Sequence, residues 1–311
     1  MQKKLLSVMS RLLLLGGVII FCSCVRDDRD DCLFPLRLKF SYNYNREQQD
    51  LFVAEVERVR LYLFDSRNGR LAASTIAHTA QLGPDNVFTW NVAPGAYHVV
   101  AWGGPERRYL AFPDNGLRQS RLSVAYREDK CVEQSSEHLW HQTGHDLSVT
   151  GDQQALYTLD LHKFSNDVRV EVKGLPTGAL HRLACTISAT NGHYDFDGNT
   201  HSDAESIVWL PESRQENGFA VHDFTVLRLW PGDDSRLHVE LMPGEDGSRS
   251  VSGVIYDGSL SELLLENPDV DLDLDDEFTV RLEAQVGSDG NISVSVYVND
   301  WFVIDMNGGL G

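Results

Sequence analysis

The chain has 311 residues, 42% of them hydrophobic, with 46 acidic against 27 basic side chains and a formal net charge of −19. That apolar share supports a packed core and excludes a chain that is mostly disordered. The acidic excess argues against nucleic acid as a partner and against attraction to anionic lipid, since like charges repel.

The first residues carry the marks of a secretion signal. Lys3, Lys4 and Arg11 make a basic start, residues 12–22 form an apolar run, and Ser23 puts a small side chain before Cys24. The run suits a signal and is too short for a bilayer-spanning helix, which needs about 20 residues. Residues 1–23 therefore read as a lipoprotein signal, with Cys24 as the lipid-bearing first residue of the mature chain. Phe21 and Cys22 stand where an aliphatic and a small residue are usual. Cys22 is a rival acceptor, disfavoured by the bulky Phe21 before it; an ordinary cleaved signal with a coincidental cysteine is the other alternative. Losing the signal removes three positive charges, leaving 288 residues at −22. Residues 24–32 form an acidic tether, VRDDRDD at its centre, which cannot bury apolar surface. It serves either as a flexible spacer or as an export tag to the outer face of an outer membrane.

Beyond the tether the pattern is that of β-strands. Leu36, Leu38 and Phe40 alternate with Arg37, Lys39 and Ser41. Residues 51–57 suit a short helical turn, and 59–64 (VRLYLF) a strand stopped by the turn-forming 65–69. Residues 87–92 give another strand, and Pro94-Gly95 turns the chain into the apolar run 96–104. Residues 105–151 are less regular, with a strand expected within 117–126 and a polar loop anchored by Trp140 over 138–145. Further strands are expected over 155–161, 168–173 and 183–189, a turn-rich loop over 191–199, and a strand pair, 219–230 with 237–242, around Pro231-Gly232. The clearest helix is 258–267: Ser259 and Glu262 suit a capping box, and Leu260, Leu263 and Leu264 share a face. An acidic loop, 269–277, precedes a hairpin of 278–283 with 292–298. Many short strands with evenly spaced turns predict an all-β chain with few short helices: a sandwich over 33–155 and a second over 156–311.

Cys22 leaves with the signal and Cys24 carries lipid, so Cys32, Cys131 and Cys185 can form at most one disulfide. Cys32 with Cys131 is the favoured pair, and Cys185 a buried thiol in an apolar strand. No catalytic constellation, metal site or cofactor motif is assembled. His138, His141 and His145 have metal-like spacing but no Glu to complete HExxH. Asp195, Asp197 and Asn199 imitate the start of a calcium loop, whose sixth and twelfth positions are here Thr200 and Ser206. The acidic loop 269–277 reads as solvated, with loose calcium binding as the alternative. GxSxG, Walker and dinucleotide motifs are absent from the sequence.

Five stretches in order resemble the FimB-type fimbrial anchor subunits, the lipoproteins of type V pili. They are Cys24 and Cys32 leading into LRLKFSYNYN, VRLYLFDSRNGRL at 59–71, WNVAPGAYHVVAWGG at 90–104, NGHYDFDG at 191–198 and VSVYVNDWFVID at 294–305. The resemblance implies two tandem transthyretin-like β-sandwiches and no catalysis. It also implies a surface-exposed lipoprotein of the outer membrane that tethers a fimbria, limits its length and binds the fimbrillin-like shaft subunit. Strand complementation at an open sheet edge is the expected mode. Related shaft subunits lose an N-terminal segment to an arginine-specific protease. A cut at Arg26, Arg29, Arg37 or Arg46 would here sever the body from its lipid, so the first strand is expected to stay in place. The competing reading is a surface glycan-binding lipoprotein, with Trp90, Trp102, Trp140, Trp209, Trp230 or Trp301 as stacking platforms.

Overall fold

The computed structural model describes residues 32–307 apart from 105, 115, 152–154, 176–179, 201–204, 244–251 and 289–290. The signal, Cys24 and the tether up to residue 31 lie outside the described residues. The chain is all-β, as expected, with two short α-helices among the described residues, α1 (Phe52–Glu55) and α2 (Leu260–Leu265). The strands of the first half are β1 (Phe34–Ser41), β2 (Arg58–Asp65), β3 (Leu71–His78), β4 (Val87–Val92), β5 (Gly95–Gly103), β6 (Tyr109–Phe112), β7 (Arg121–Val124), β8 (Cys131–Val132), β9 (Trp140–Val149), β10 (Leu156–Asp160) and β11 (His162–Lys163). Those of the second half are β12 (Ser165–Lys173), β13 (Leu183–Ala189), β14 (His193–Asp195), β15 (Ile207–Trp209), β16 (Glu212–Glu216), β17 (Phe219–Leu227), β18 (Arg236–Leu241), β19 (Gly253–Ser259), β20 (Glu277–Val286), β21 (Ile292–Val298) and β22 (Trp301–Asn307).

The first sandwich faces the sheet β10-β1-β4 against β11-β9-β5-β2-β3. β1 lies in the middle of its sheet, parallel to β10 and antiparallel to β4. Its alternation sends Leu36, Leu38 and Phe40 into the core, each at most 2% exposed. Full burial of each such side chain stabilises by about 2 kcal/mol. The second sandwich faces β16-β17-β12-β20-β21-β22 against β19-β18-β13-β15-β8. A small sheet, β14-β7-β6, completes the fold.

The runs in β2 and β5 that do not alternate are explained by burial on both faces. Val59, Leu61, Leu63, Val99 and Ala101 join the first core, while Tyr62, Phe64, Val100 and Trp102 belong to the second, with Tyr109, Leu122, Tyr194 and Phe196. One sheet thus serves as a wall between the two cores.

Several expectations are corrected by pairing partners. The strand expected to open the second sandwich, β10, pairs with β1, and β11 pairs with β9, so the first pair of sheets runs on to Lys163. Conversely, β8 pairs with β15, and β7 with β14, so residues near 121–132 join elements of the second half. The polar stretch expected as a loop at 138–145 enters β9, a ten-residue strand held between β5 and β11. Its His141 is buried against Trp102, with ring centroids 4.0 Å apart. β17 and β18, expected as a pair, lie in different sheets, so the turn at Pro231 crosses the sandwich. β3 and β22 were not expected as strands. The favoured Cys32–Cys131 disulfide is not formed: Cys32, Cys131 and Cys185 are all free. Cys32 precedes β1 in the first sandwich and Cys131 sits on the far edge of the second, so the fold separates them. In α2 the expected cap is present on one side, with Ser259 Oγ accepting the Glu262 N–H at 3.3 Å.

The acidic loop 269–277 keeps Asp269, Asp271, Asp273 and Glu277 exposed, as expected of a solvated loop, but Asp275 and Asp276 are tied into the seam between the halves. Arg46 donates to both Asp275 carboxylate oxygens at 2.6 Å and to the Asp269 carbonyl at 2.7 Å. The Tyr42 hydroxyl donates to Asp276 Oδ2 at 2.6 Å, and Lys163 Nζ lies 3.5 Å from the same oxygen. Asn166 Nδ2 reaches the Asp275 carbonyl at 3.2 Å, and Arg228 pairs with Asp273.

Candidate docking edge

The six-stranded sheet ends on two edges of opposite chemistry. At one end, β21 and β22 form a hairpin through Asn299 and Asp300, both at positive φ (49° and 66°), as a tight two-residue turn requires. Asn299 is fixed in both directions, its N–H donating to the Thr279 carbonyl and its Oδ1 accepting the Thr279 N–H, each at 2.8 Å. On β21, Val294, Val296 and Val298 point into the core. Their cross-strand partners on β22 are Met306, Ile304 and Trp301, so these three continue the core face past the last paired strand. Ile304 is 49% exposed and Trp301 48%. On the outer face Phe302, also 49% exposed, meets the Tyr297 ring edge-on at 5.6 Å, and the Arg281 guanidinium lies 4.5 Å from that ring's centre. One extra residue on β22 shifts the register between Phe302 and Ile304 and bends the strand.

The other edge, β16, has the sequence ESRQE and all five residues exposed. Arg214 pairs with Asp223 and Glu216, and Arg169 reaches Glu216 at 3.0 Å. A charged edge of this kind opposes pairing with a further strand, whereas an apolar one invites it. Among the described edge strands, β22 alone exposes three large apolar side chains; β6 exposes two, Leu110 and Phe112.

The residues singled out in the sequence do not form a reactive site. Cys24 lies outside the described residues. His141 Nε2 donates to the Phe196 carbonyl at 3.0 Å, and burial pushes its pKa down to about 4. His138 stands 3.6 Å from Asp167 and 3.4 Å from Ser165 Oγ, a row with the composition of a hydrolase triad. Ser165 is fully buried, however, and its Oγ accepts the Leu139 N–H at 3.0 Å, so no substrate carbonyl can reach it. Among the described residues no three His, Cys, Asp or Glu side chains are grouped for a metal ion. In the calcium-like turn, the Asp195 carboxylate accepts the Asn199 N–H at 2.8 Å and closes the turn on itself. Of the six tryptophans, Trp102, Trp140 and Trp209 are core, Trp90 and Trp230 are half-buried, and Trp301 is exposed. Trp301, Phe302 and Ile304 lie beyond the strands that periodicity places in the sequence. The signal was present as a WFVI run directly after an Asn-Asp turn.

A family model described as fimbrillin-A associated anchor proteins Mfa1 and Mfa2 matches residues 29–307. The minor fimbrium anchoring subunit Mfa2 of Porphyromonas gingivalis is 23% identical over 316 residues, covering 97% of this chain and 95% of that protein. The solved structure of the fimbrial anchor protein Mfa2 from Porphyromonas gingivalis matches with a TM-score of 0.72 at 21% identity, covering 88% of this chain and 100% of that one. A solved structure described as a candidate adhesin, from Bacteroides ovatus, matches with a TM-score of 0.73 at 17% identity, covering 93% and 99%. At these identities the structural likeness establishes the fold.

Proposed function

The chain belongs to the family of fimbrillin-A associated anchor proteins, and from that membership we propose that it is the lipid-anchored subunit holding a fimbria to the cell surface. In this reading Cys24 carries the lipid that fixes the chain in the outer membrane, and the acidic tether spaces the body from it. The shaft subunit docks by adding an extended segment to β22. Main-chain hydrogen bonds along the edge supply affinity, and alternate side chains of the incoming strand cover Trp301, Ile304 and Met306. A subunit that ends the fibre in this way also limits its length. The family is one of structural anchors and not of enzymes.

The observation that supports this most is the contrast between the apolar β22 edge and the charged β16 edge of the same sheet. The central position of β1 fits the same role. Pulling it out would uncover Leu36, Leu38 and Phe40 and separate β10 from β4. The strand nearest the lipid is thus held firmly in the body that it tethers.

Two experiments test the proposal together. Acyl labelling of wild type and Cys24→Ala is expected to give a lipidated, protease-accessible surface protein only in the wild type. Mild crosslinking followed by pull-down is expected to recover the shaft subunit joined near β22. An unlipidated wild type would remove the tether from the proposal, and crosslinks confined to other edges would remove the docking edge.

A further inference from the structure

One amine in the seam between the halves is set apart by its surroundings. The Lys163 side chain is 9% exposed, and two carboxylates stand by its Nζ, Asp276 Oδ2 at 3.5 Å and Glu55 Oε2 at 4.0 Å. Two other described lysine ion pairs, Lys173 with Glu283 and Lys130 with Glu205, leave the lysine side chain 38% and 40% exposed. The three groups come from distant parts of the chain: Lys163 ends β11, Glu55 ends α1 and Asp276 leads into β20. Lys163 stands directly opposite Trp140 across the β11–β9 pairing and so shares its face of the sheet. Trp140 in turn meets the Tyr42 ring edge-on at 6.3 Å, and both aromatic residues are buried. The amine therefore lies against aromatic surface rather than in open water.

The Asp276 carboxyl is also held from a second direction. The hydroxyl of fully buried Tyr42 donates to Oδ2 at 2.6 Å, so that oxygen faces a fixed donor of the kind that stabilises an oxyanion. Glu55 stands near enough to the amine to exchange protons with it. Burial holds the Glu55 pKa above the ordinary carboxylate value even with Lys163 beside it, so this carboxyl can carry a proton.

From this arrangement we propose that Lys163 and Asp276 join through an amide bond that the folded chain forms by itself, with Glu55 as the proton carrier. Glu55 takes one proton from the Lys163 ammonium and passes it to the Asp276 carboxylate, leaving a neutral amine beside a carboxylic acid. The amine lone pair attacks Asp276 Cγ, and the carbonyl electrons move onto Oδ2, where the Tyr42 hydroxyl holds the charge. A second proton travels from the nitrogen through Glu55 to Oδ1, the Cγ–Oδ1 bond breaks, and Oδ1 departs as water while the carbonyl reforms at Oδ2. Two of the three ammonium protons end in that water and one stays on the amide nitrogen. Ammonium and carboxylate give a neutral amide and water, so the step needs no oxidant, reductant or co-reactant. Fixing the two groups side by side supplies the proximity that such a condensation lacks in solution.

The bond would close the chain on itself between β11 and the start of β20, two elements that belong to different sandwiches. Residues 164–275 would then carry none of a load running from the lipid-bearing end to β22. A crosslink that closes so long a loop also constrains the unfolded chain. The mechanical use rests on the anchoring reading; formation of the bond does not.

The test is the intact mass of the purified full chain, read against Lys163→Arg, Asp276→Ala and Glu55→Gln prepared identically, so that processing of the amino terminus is common to all. Wild type is expected one water lighter than its sequence requires. Its proteolytic digest should contain a branched peptide joining residues 163 and 276. Lys163→Arg, which keeps the positive charge, and Asp276→Ala should both keep the full mass, and Glu55→Gln should keep it while remaining folded by circular dichroism. The proposal is overturned if folded wild type still has its full mass after prolonged incubation. It is equally overturned if the water is lost in Lys163→Arg as well, since cyclisation at another site would then account for it. A Glu55→Gln chain that loses water as fast as wild type would remove Glu55 from the mechanism and overturn the proposal in the form given.

Discussion

The docking edge leads to a quantitative expectation. Trp301, Phe302 and Ile304 are each about half exposed (48%, 49% and 49%), so each has roughly half of its surface left to bury. Full burial of a large apolar side chain is worth about 1.5–3 kcal/mol, so covering the remaining half contributes about 1 kcal/mol per residue and about 3 kcal/mol for the three. At 1.4 kcal/mol per decade, the triple variant Trp301→Ala, Phe302→Ala, Ile304→Ala should bind the shaft subunit roughly a hundredfold more weakly. Ile304→Lys alone should act more strongly than Ile304→Ala, because a charge on the edge opposes strand addition. The assay is biolayer interferometry with purified shaft subunit, with Arg214→Ala on the opposite edge as the control expected to bind normally. Phe302→Ala also gives up its contact with Tyr297, at a cost of up to about 1 kcal/mol in stability, so melting temperatures are read in parallel. A folded triple variant that binds within about twofold of wild type would refute the assignment of β22.

Further expectations concern stability and reactivity. Burial holds His141 neutral with a pKa of about 4, against 6.5 when unperturbed, so the unfolded chain binds the extra proton between these values. Stability present above about pH 6.5 should be lost as the pH falls toward 4, by up to about 3 kcal/mol. Burial pushes His138, His162 and His222 the same way. Urea midpoints across this range measure the slope, and His141→Gln should flatten it. Tyr42→Phe removes the hydroxyl donated to Asp276 across the seam and should cost about 1–2 kcal/mol in chemical denaturation; no loss would mean the bond contributes nothing net. Leu38→Ala, at a fully buried position in the central strand, should cost about 3–5 kcal/mol by the same measurement. Under native conditions alkylation should mark exposed Cys32 first and half-buried Cys131 more slowly. Cys185, whose thiol pKa is pushed up by burial, should react only on unfolding, and mass spectrometry of timed samples reads the order.

What the sequence determined by itself was local. Alternation at Leu36, Leu38 and Phe40 fixed a half-buried strand, Pro94-Gly95 marked entry into β5, and Ser259 with Glu262 placed the start of α2. These follow from backbone periodicity and turn chemistry, which depend on near neighbours. The all-β class followed in turn from their number. The runs VRLYLF and HVVAW carried a further signal, burial on two faces, but nothing local named the second covering layer.

Only the tertiary structure decided which strands pair. It put β10 beside β1, gave β8 and β7 to partners in the second half, and made a sheet strand of the polar stretch after His138. In each case the hydrogen bonds come from a strand distant in sequence, and side chains such as His141 are accepted in the core because a carbonyl from elsewhere, that of Phe196, satisfies them. The acidic loop is the same lesson in charge: most of its carboxylates are solvated as its composition suggests, but Asp275 and Asp276 are claimed by Arg46, Tyr42 and Lys163 from the other half of the chain. The docking edge is legible last of all, since an apolar strand reads alike whether it is paired on both sides or left open on one. Openness depends on what the rest of the chain leaves uncovered.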